Sequence, residues 1–361
     1  MFEFTNAQRK YFAIPEVEES WERIEVPDHS QGQYKTYAYL DGLHIVKVIQ
    51  VCETEGMEVY TEFGMDQYLS KDRTKLMPKR KGSGAQRFTA SYLEKRPRVG
   101  MSFYFIGGYL TLINESSRKA YYRSVYGGEM VKGLVGLSRW IDEWAAEADT
   151  ELSAELKAFA MEPYKKVRFH AGDIFRFRIS RGLYGYGIIG CDFKNADKSS
   201  LPFWKKELSV GIFHIITEER HLSAEYFEDK KVLPFFITKR DIFESGECEI
   251  IGGISLKKSD EAHEHPIHYG MVKGRNGLKY IRYQSGERLY LTEGDELLGE
   301  WYESSEVSDH LKINLSVLWA CIKAGSNAPY WEMLPQSEAL RDLRNPILCD
   351  LHNKILEQLE I

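Results

Sequence analysis

With 361 residues, 43% of them hydrophobic and 13% aromatic, the chain can fill one large core or two ordinary ones, and it is too aromatic to stay disordered. Its 48 basic and 54 acidic residues leave a net charge of -6, which argues against a dedicated nucleic-acid binder, because such a protein needs a basic face to displace counterions from phosphate. No stretch reaches the ~18 consecutive apolar residues that span a bilayer, and the five scattered cysteines contain no CxxC pair. The expectation is a cytoplasmic protein with buried reduced thiols and no membrane attachment.

The opening MFEFTNAQRKYF places polar and charged residues where a secretory leader has an apolar core, and Asn6 to Phe12 reads as a short helix. Strand-like runs follow. YKTYAYL and HIVKVIQV flank Asp41-Gly42, a hairpin signal because both turn residues must reach positive φ. MEVYTEF extends the set. The Lys- and Gly-rich loop from Pro78 to Gly84 leads into FTASYLEK, where Ser91 and Glu94 have capping-box spacing. A second hairpin is predicted with Gly107-Gly108 at its bend. Leu134, Leu137, Trp140, Ile141 and Trp144 then recur at helical spacing, so one apolar stripe faces the sheet. These elements define an N-terminal α+β domain over residues 1–150, and the charged helical text from Asp149 to Pro163 reads as a link.

A second, β-rich domain is expected over 163–300. In it Ile174, Arg176 and Arg178 alternate with Phe175, Phe177 and Ile179. Glycines at 182, 185, 187 and 190 interrupt the next strand, and repeated glycine in a strand marks a bulge or a backbone packed against a neighbour. Such strands suit a curled sheet or small barrel. Further strands are predicted at VGIFHIITE, EIIGGISL and KYIRYQSG. Without regular strand–helix alternation, the class is α+β with mainly antiparallel sheet. The tail, 305–361, reads as helical, with Leu311, Leu315, Leu318, Trp319 and Ile322 on one face and a last helix from Pro346.

Two stretches bear on function. EAHEHPIHYG carries His263, His265 and His268; alternate residues on a strand share a face, so His263 and His265 could both reach a metal. A hydrolytic metal site also needs distant ligands, which nothing in the sequence singles out. The simpler reading is a solvated loop, with His268 in a turn after Pro266. The second stretch has no Lys or Arg between Arg288 and Lys312 but contains Glu293, Asp295, Glu296, Glu300, Glu303 and Glu306 around Trp301 and Tyr302. Acidic residues about aromatic anchors suit a basic protein partner, because charge speeds the encounter and aromatics supply binding energy, while the simpler reading is again a solvated loop ahead of the tail helix. No GxSxG elbow, phosphate cradle or dinucleotide fingerprint occurs, so no catalytic residue and no cofactor are assigned.

The chain resembles the immunity protein 26 family of bacterial polymorphic-toxin systems. The motifs that carry the resemblance are GDIFRFRISRGLYGYGIIG (Gly172 to Gly190), IFHIITEE (Ile212 to Glu219), GECEIIGGISL (Gly246 to Leu256) and PIHYG (Pro266 to Gly270). MFEFTNAQRKYF, the LMPKRKG loop with FTASYLE, and the Trp-bearing helix resemble the front half of longer members, so coverage is roughly the first three hundred residues. The resemblance implies a non-enzymatic protein that neutralises a cognate toxin domain by stoichiometric binding. Some members carry the label phosphotriesterase, which gives the alternative of a metal-dependent hydrolase using His263 and His265.

Overall fold

The computed structural model describes residues 1–27, 34–78, 84–124, 130–148, 150–179, 182–192, 194, 207–230, 232, 236–256, 267–273, 279–285, 288–293, 353 and 357. The chain is α+β, dominated by antiparallel strands with few helices, and divides into two compact units. The first comprises Met1–Lys166 with Ser245–Glu247; the second comprises Val167–Glu244 with Cys248–Ile361. Among the described residues no helix is long and apolar enough to cross a membrane.

In chain order the first unit contains α1 (Asn6–Lys10), β1 (Glu22–Glu25), β2 (Lys35–Asp41), β3 (His44–Cys52), β4 (Val59–Tyr68), β5 (Lys75–Leu76), β6 (Gln86–Arg87), α2 (Ala90–Glu94), β7 (Arg98–Ile106), β8 (Tyr109–Asn114), β9 (Lys119–Arg123), α3 (Gly133–Ala146) and α4 (Thr150–Ala160). Its seven-stranded sheet runs β1-β2-β3-β4-β7-β8-β9, with every neighbouring pair antiparallel. Both expected hairpins form: Gly107 and Gly108 have φ +57° and +83°, but the first turn is Gly42-Leu43 and not Asp41-Gly42, since Asp41 pairs with His44 at the strand end and only Gly42 (φ +62°) is at positive φ.

Alternation along the strands divides the buried side chains between two cores. On one face Ile49, Val51, Tyr60, Phe103 and Leu112 meet Phe4 and Phe12, α3 through Leu137, Ile141 and Trp144, and α4 through Leu156. On the other, Val48, Phe63 and Met65 are covered by Leu76, Phe88 and Leu93 from the β5–α2 region. Each fully buried phenylalanine contributes about 1.5–3 kcal/mol.

Two details depart from the sequence reading. The helix expected to link the units packs its Leu156 into the first core, because 150–160 carries its own apolar stripe. Helix α2 is entered from Thr89 without a side-chain cap, so the Ser91–Glu94 spacing makes no capping box.

The second unit holds β10 (Asp173–Arg178), β11 (Tyr184–Asp192), β12 (Glu207–Thr217), β13 (Phe236–Lys239), α5 (Asp241–Glu244) and β14 (Cys248–Gly253). A three-stranded meander follows, β15 (Ile267–Lys273), β16 (Lys279–Ser285) and β17 (Arg288–Glu293). The first five strands form an open antiparallel sheet in the order β13-β12-β11-β10-β14, not a closed barrel. Its bulges fall at Ile174/Phe175, Gly185/Gly187 and Ile189/Cys191.

The glycines of β11 have a steric cause: a Cβ on Gly185 would lie 2.2 Å from the Phe177 ring, and one on Gly187 2.3 Å from the Phe175 ring. The outer ends of the two phenylalanine rings therefore occupy the space a side chain at those positions would need, and Phe243 packs edge-to-face with Phe175 at 5.0 Å between centroids. On the opposite face Tyr186 and Phe213 pack on Phe227 of a short 3₁₀ turn, Ala224–Phe227. His268, expected in a turn, sits within β15 opposite Gln284, because PIHYG continues into an apolar run that pairs along β16.

Candidate interaction surface

The most concentrated polar chemistry among the described residues lies on the helix-covered face of the first sheet. Glu62 of β4, fully buried, accepts at Oε1 from Arg9 Nε (2.7 Å) and Lys47 Nζ (2.5 Å). Its Oε2 accepts from the Tyr60 hydroxyl at 2.5 Å, and that hydroxyl accepts from the Phe4 backbone N–H at 3.2 Å. Lys47 also donates to the Pro15 carbonyl. Arg9 reaches Glu3 through its terminal nitrogen (2.9 Å), and Tyr39 donates to the same Glu3 Oε1 at 2.5 Å.

Sequence placement explains the convergence. Tyr60 and Glu62 are two apart on β4 and share a face, Lys47 is on the adjacent strand, and α1 lays Arg9 across both.

Two cations, Arg9 and Lys47, face two carboxylates, Glu3 and Glu62, so formal charge is balanced within the group. Burial acts to lower the Arg9 pKa, but Glu62, by charge and by hydrogen bond, overrides it and holds the guanidinium above its ordinary value. For Lys47 burial wins over Glu62 and the pKa is lowered. Burial, reinforced by Glu62, raises the Tyr60 phenol well above its usual value. These groups tie the N-terminal segment to the sheet; their chemistry is that of a frame. A second clamp is Asn114, fully buried, whose amide donates to the carbonyls of Phe159 (2.7 Å) and Ala160 (3.1 Å) at the end of α4, while its oxygen accepts from Ser116 and Ser117 N–H.

In the second unit the Arg176 and Arg178 guanidinium carbons lie 5.2 and 5.0 Å from the centroid of the buried Tyr184 ring. Arg176 is held by Glu249 (2.5 Å) and the Arg220 carbonyl (2.6 Å). Tyr186 donates to the Glu219 carbonyl, and burial pushes its phenol up to about 12. Cys52, Cys191 and Cys248 are buried and form no disulfide. Among the described residues no group of three or more His, Cys, Asp or Glu is arranged to hold a metal ion.

Of the residues the sequence singled out, Glu293 closes β17, the edge strand of the meander, in register with Tyr280. Asp295, Glu296, Glu300, Trp301, Tyr302, Glu303 and Glu306 lie outside the described residues, as do His263 and His265. The tail helices expected over 311–322 and from Pro346 lie outside them too, apart from Asn353 and Glu357, both helical.

Sequence reasoning missed that several apolar side chains near one end of the first sheet stay about half exposed. Met57, Ile106, Tyr109 and Met130 are 43%, 52%, 48% and 55% exposed. A signal was present in apolar residues flanking Gly107-Gly108, where a hairpin tip is ordinarily polar.

The fold therefore defines a two-unit antiparallel α+β protein with a charge-balanced group of buried side chains in its first unit. Compared with protein-family models, curated proteins and solved structures, the chain matches none.

Proposed function

We propose that the chain is an immunity protein that neutralises a cognate bacterial toxin by stoichiometric binding in the cytoplasm, without a cofactor. One observation carries the reading: from Glu293 to Glu306 the chain has six carboxylates and no Lys or Arg, with Trp301 and Tyr302 near its centre. That run leaves directly from the end of β17, so a sheet edge anchors its first residue. An acidic segment with two adjacent aromatics fits a basic toxin surface, the aromatics filling apolar pockets and the carboxylates steering the encounter. The resemblance to the immunity protein 26 family supports the same reading, and so does the balanced charge of the Arg9–Lys47–Glu62–Glu3 group, which acts as scaffold.

The test is co-expression with the toxin domain encoded beside the gene. The folded triple variant Glu300→Lys, Trp301→Ala, Glu303→Lys should lose protection, with Kd weakened by at least ~30-fold, the ~2 kcal/mol of one interface hot spot. Full protection by that variant removes the segment from the interface. A wild-type chain that neither binds nor protects against the toxin overturns the immunity reading itself.

A further inference from the structure

The five-stranded sheet of the second unit ends in a polar cluster that the acidic segment does not use. Arg176 and Arg178 are two apart on β10 and so share a face, the one on which Ile174, Tyr184 and Tyr186 pack with Phe213 and Phe227. Register sets their neighbours. Arg178 is opposite Tyr184, and Arg176 opposite Tyr186, on β11. On its other side Arg176 is opposite Glu249 of β14, while Tyr184 is opposite Thr217 of β12. Arg178, Tyr184 and Thr217 therefore make the last row of the sheet on this face, at the ends of their strands. Beyond that row the β10–β11 hairpin is closed by the Ile179 N–H, which donates to the Leu183 carbonyl at 2.9 Å.

Tyr184 is 2% exposed, and its hydroxyl has no hydrogen-bond partner among the described residues. A buried hydroxyl left unpaired costs stability, so its presence calls for something that completes it. The two carbonyls that the segment after β12 brings to this face are engaged: the Glu219 carbonyl by the Tyr186 hydroxyl (2.8 Å), the Arg220 carbonyl by Arg176 Nη1 (2.6 Å). That segment is held as well by the Glu219 N–H, which donates to Thr217 Oγ1 at 2.9 Å. The surroundings of Tyr184 are cationic, with the guanidinium carbons of Arg176 and Arg178 at 5.2 and 5.0 Å from its ring centroid. Arg176 spends one nitrogen on the Arg220 carbonyl and one on Glu249, whose side chain is half exposed, and a guanidinium has five N–H donors in all. An acceptor that reaches the Tyr184 hydroxyl thus sits beside two guanidinium groups, which favour negative charge. One carboxylate would bring two oxygens to three donor groups. A phosphoryl group brings three, and the fork of arginine fits it.

We infer that Arg176, Arg178 and Tyr184 form a binding site for a small oxyanion, phosphate or a phosphate monoester, at the end of the second unit's sheet. Bound there, the anion accepts from the Tyr184 hydroxyl and from the guanidinium groups, and so ties β10 to β11 where their hairpin begins. The site involves neither the toxin nor the segment after Glu293, so its test is separate from that of the immunity reading.

The experiment titrates the full chain with sodium phosphate at constant ionic strength, with sodium chloride and sodium acetate as comparison salts, and follows the melting temperature and the phosphorus NMR line width. Phosphate should raise the melting temperature saturably, and chloride should not. Tyr184→Phe keeps the ring and removes only the hydroxyl. Without phosphate it should melt no lower than wild type, since no hydrogen bond within the protein is lost. Its phosphate affinity should fall by about tenfold or more, the worth of a hydrogen bond to a charged acceptor. Arg178→Lys keeps the charge but not the fork, and should also bind phosphate more weakly. A wild-type chain with no saturable response to phosphate overturns the site. Equal midpoints for wild type and Tyr184→Phe mean an adventitious ion only, and overturn it too. So does a Tyr184→Phe variant that melts lower without phosphate, because its hydroxyl is then bonded inside the protein. Acetate that acts as strongly as phosphate overturns the choice of a phosphoryl ligand.

Discussion

Glu62→Gln is the sharpest perturbation the structure offers. The change is nearly isosteric, so it leaves volume untouched and removes one charge. In the wild-type chain that charge faces Arg9 Nε at 2.7 Å and Lys47 Nζ at 2.5 Å, all three groups buried. The variant keeps one carbonyl oxygen for two cationic donors and turns an amide N–H₂ toward either those donors or the Tyr60 hydroxyl. Glu3, partly exposed, remains as the single carboxylate of the group. Removing one partner of a buried ion pair costs about 3–5 kcal/mol, because an uncompensated charge stays behind. A loss near that range is expected in urea unfolding followed by near-ultraviolet circular dichroism.

The identity of the uncompensated charge can be read from pH. Burial already lowers the Lys47 pKa, with Glu62 opposing it, so removing Glu62 lowers it further. Between that depressed folded value and the ordinary lysine value of ~10.4, the unfolded chain binds more protons than the folded one, and stability rises with pH. The deficit of Glu62→Gln relative to wild type should therefore shrink from neutral pH toward pH ~10. In a Lys47→Met background the same substitution should cost less at neutral pH, and its deficit should depend little on pH. A Glu62→Gln variant within ~1 kcal/mol of wild type, or a deficit that grows with pH, refutes the account of this cluster.

Other expectations follow from single contacts. Gly172→Ala places a Cβ 2.0 Å from the Ile254 carbonyl oxygen at a φ of +91°, so it should cost more than about 2 kcal/mol and reduce soluble yield. Tyr60→Phe removes the acceptor of the Phe4 N–H and a donor to Glu62; thermal unfolding should show a loss of about 1–3 kcal/mol. Asn114→Ala frees the carbonyls at the end of α4, and amide exchange should show that helix losing protection before α3. Metal analysis of the purified chain addresses the hydrolase alternative: the immunity reading expects substoichiometric metal, and one tightly held ion lost on His263→Ala and His265→Ala would favour the histidines.

How much of this was legible in the sequence depends on the range of the signal. Gly42 and Gly107-Gly108 announced their hairpins because positive φ is a local demand that few residues meet, although the first turn begins one residue later than the Asp41-Gly42 pair suggested. The stripe Leu137, Ile141, Trp144 announced α3 because the helical period brings those residues to one side. The bulged, glycine-broken β11 was legible in kind, yet its cause was not: that Phe175 and Phe177 lie over Gly187 and Gly185 depends on strand register. The barrel alternative failed for the same reason, since closure depends on which strands meet at the edges, and β13 and β14 remain apart. Short β1, β5 and β6 escaped because two to four residues carry too little alternation.

The buried charge group shows where one-dimensional reading stops. Arg9 and Glu62 are separated by 53 positions, and each alone reads as an ordinary surface residue. Their burial became possible only because α1 lays a cation over the one β4 carboxylate that Lys47 and Tyr60 also reach. Each member is tolerable only with the others present, so no residue-by-residue preference could place them.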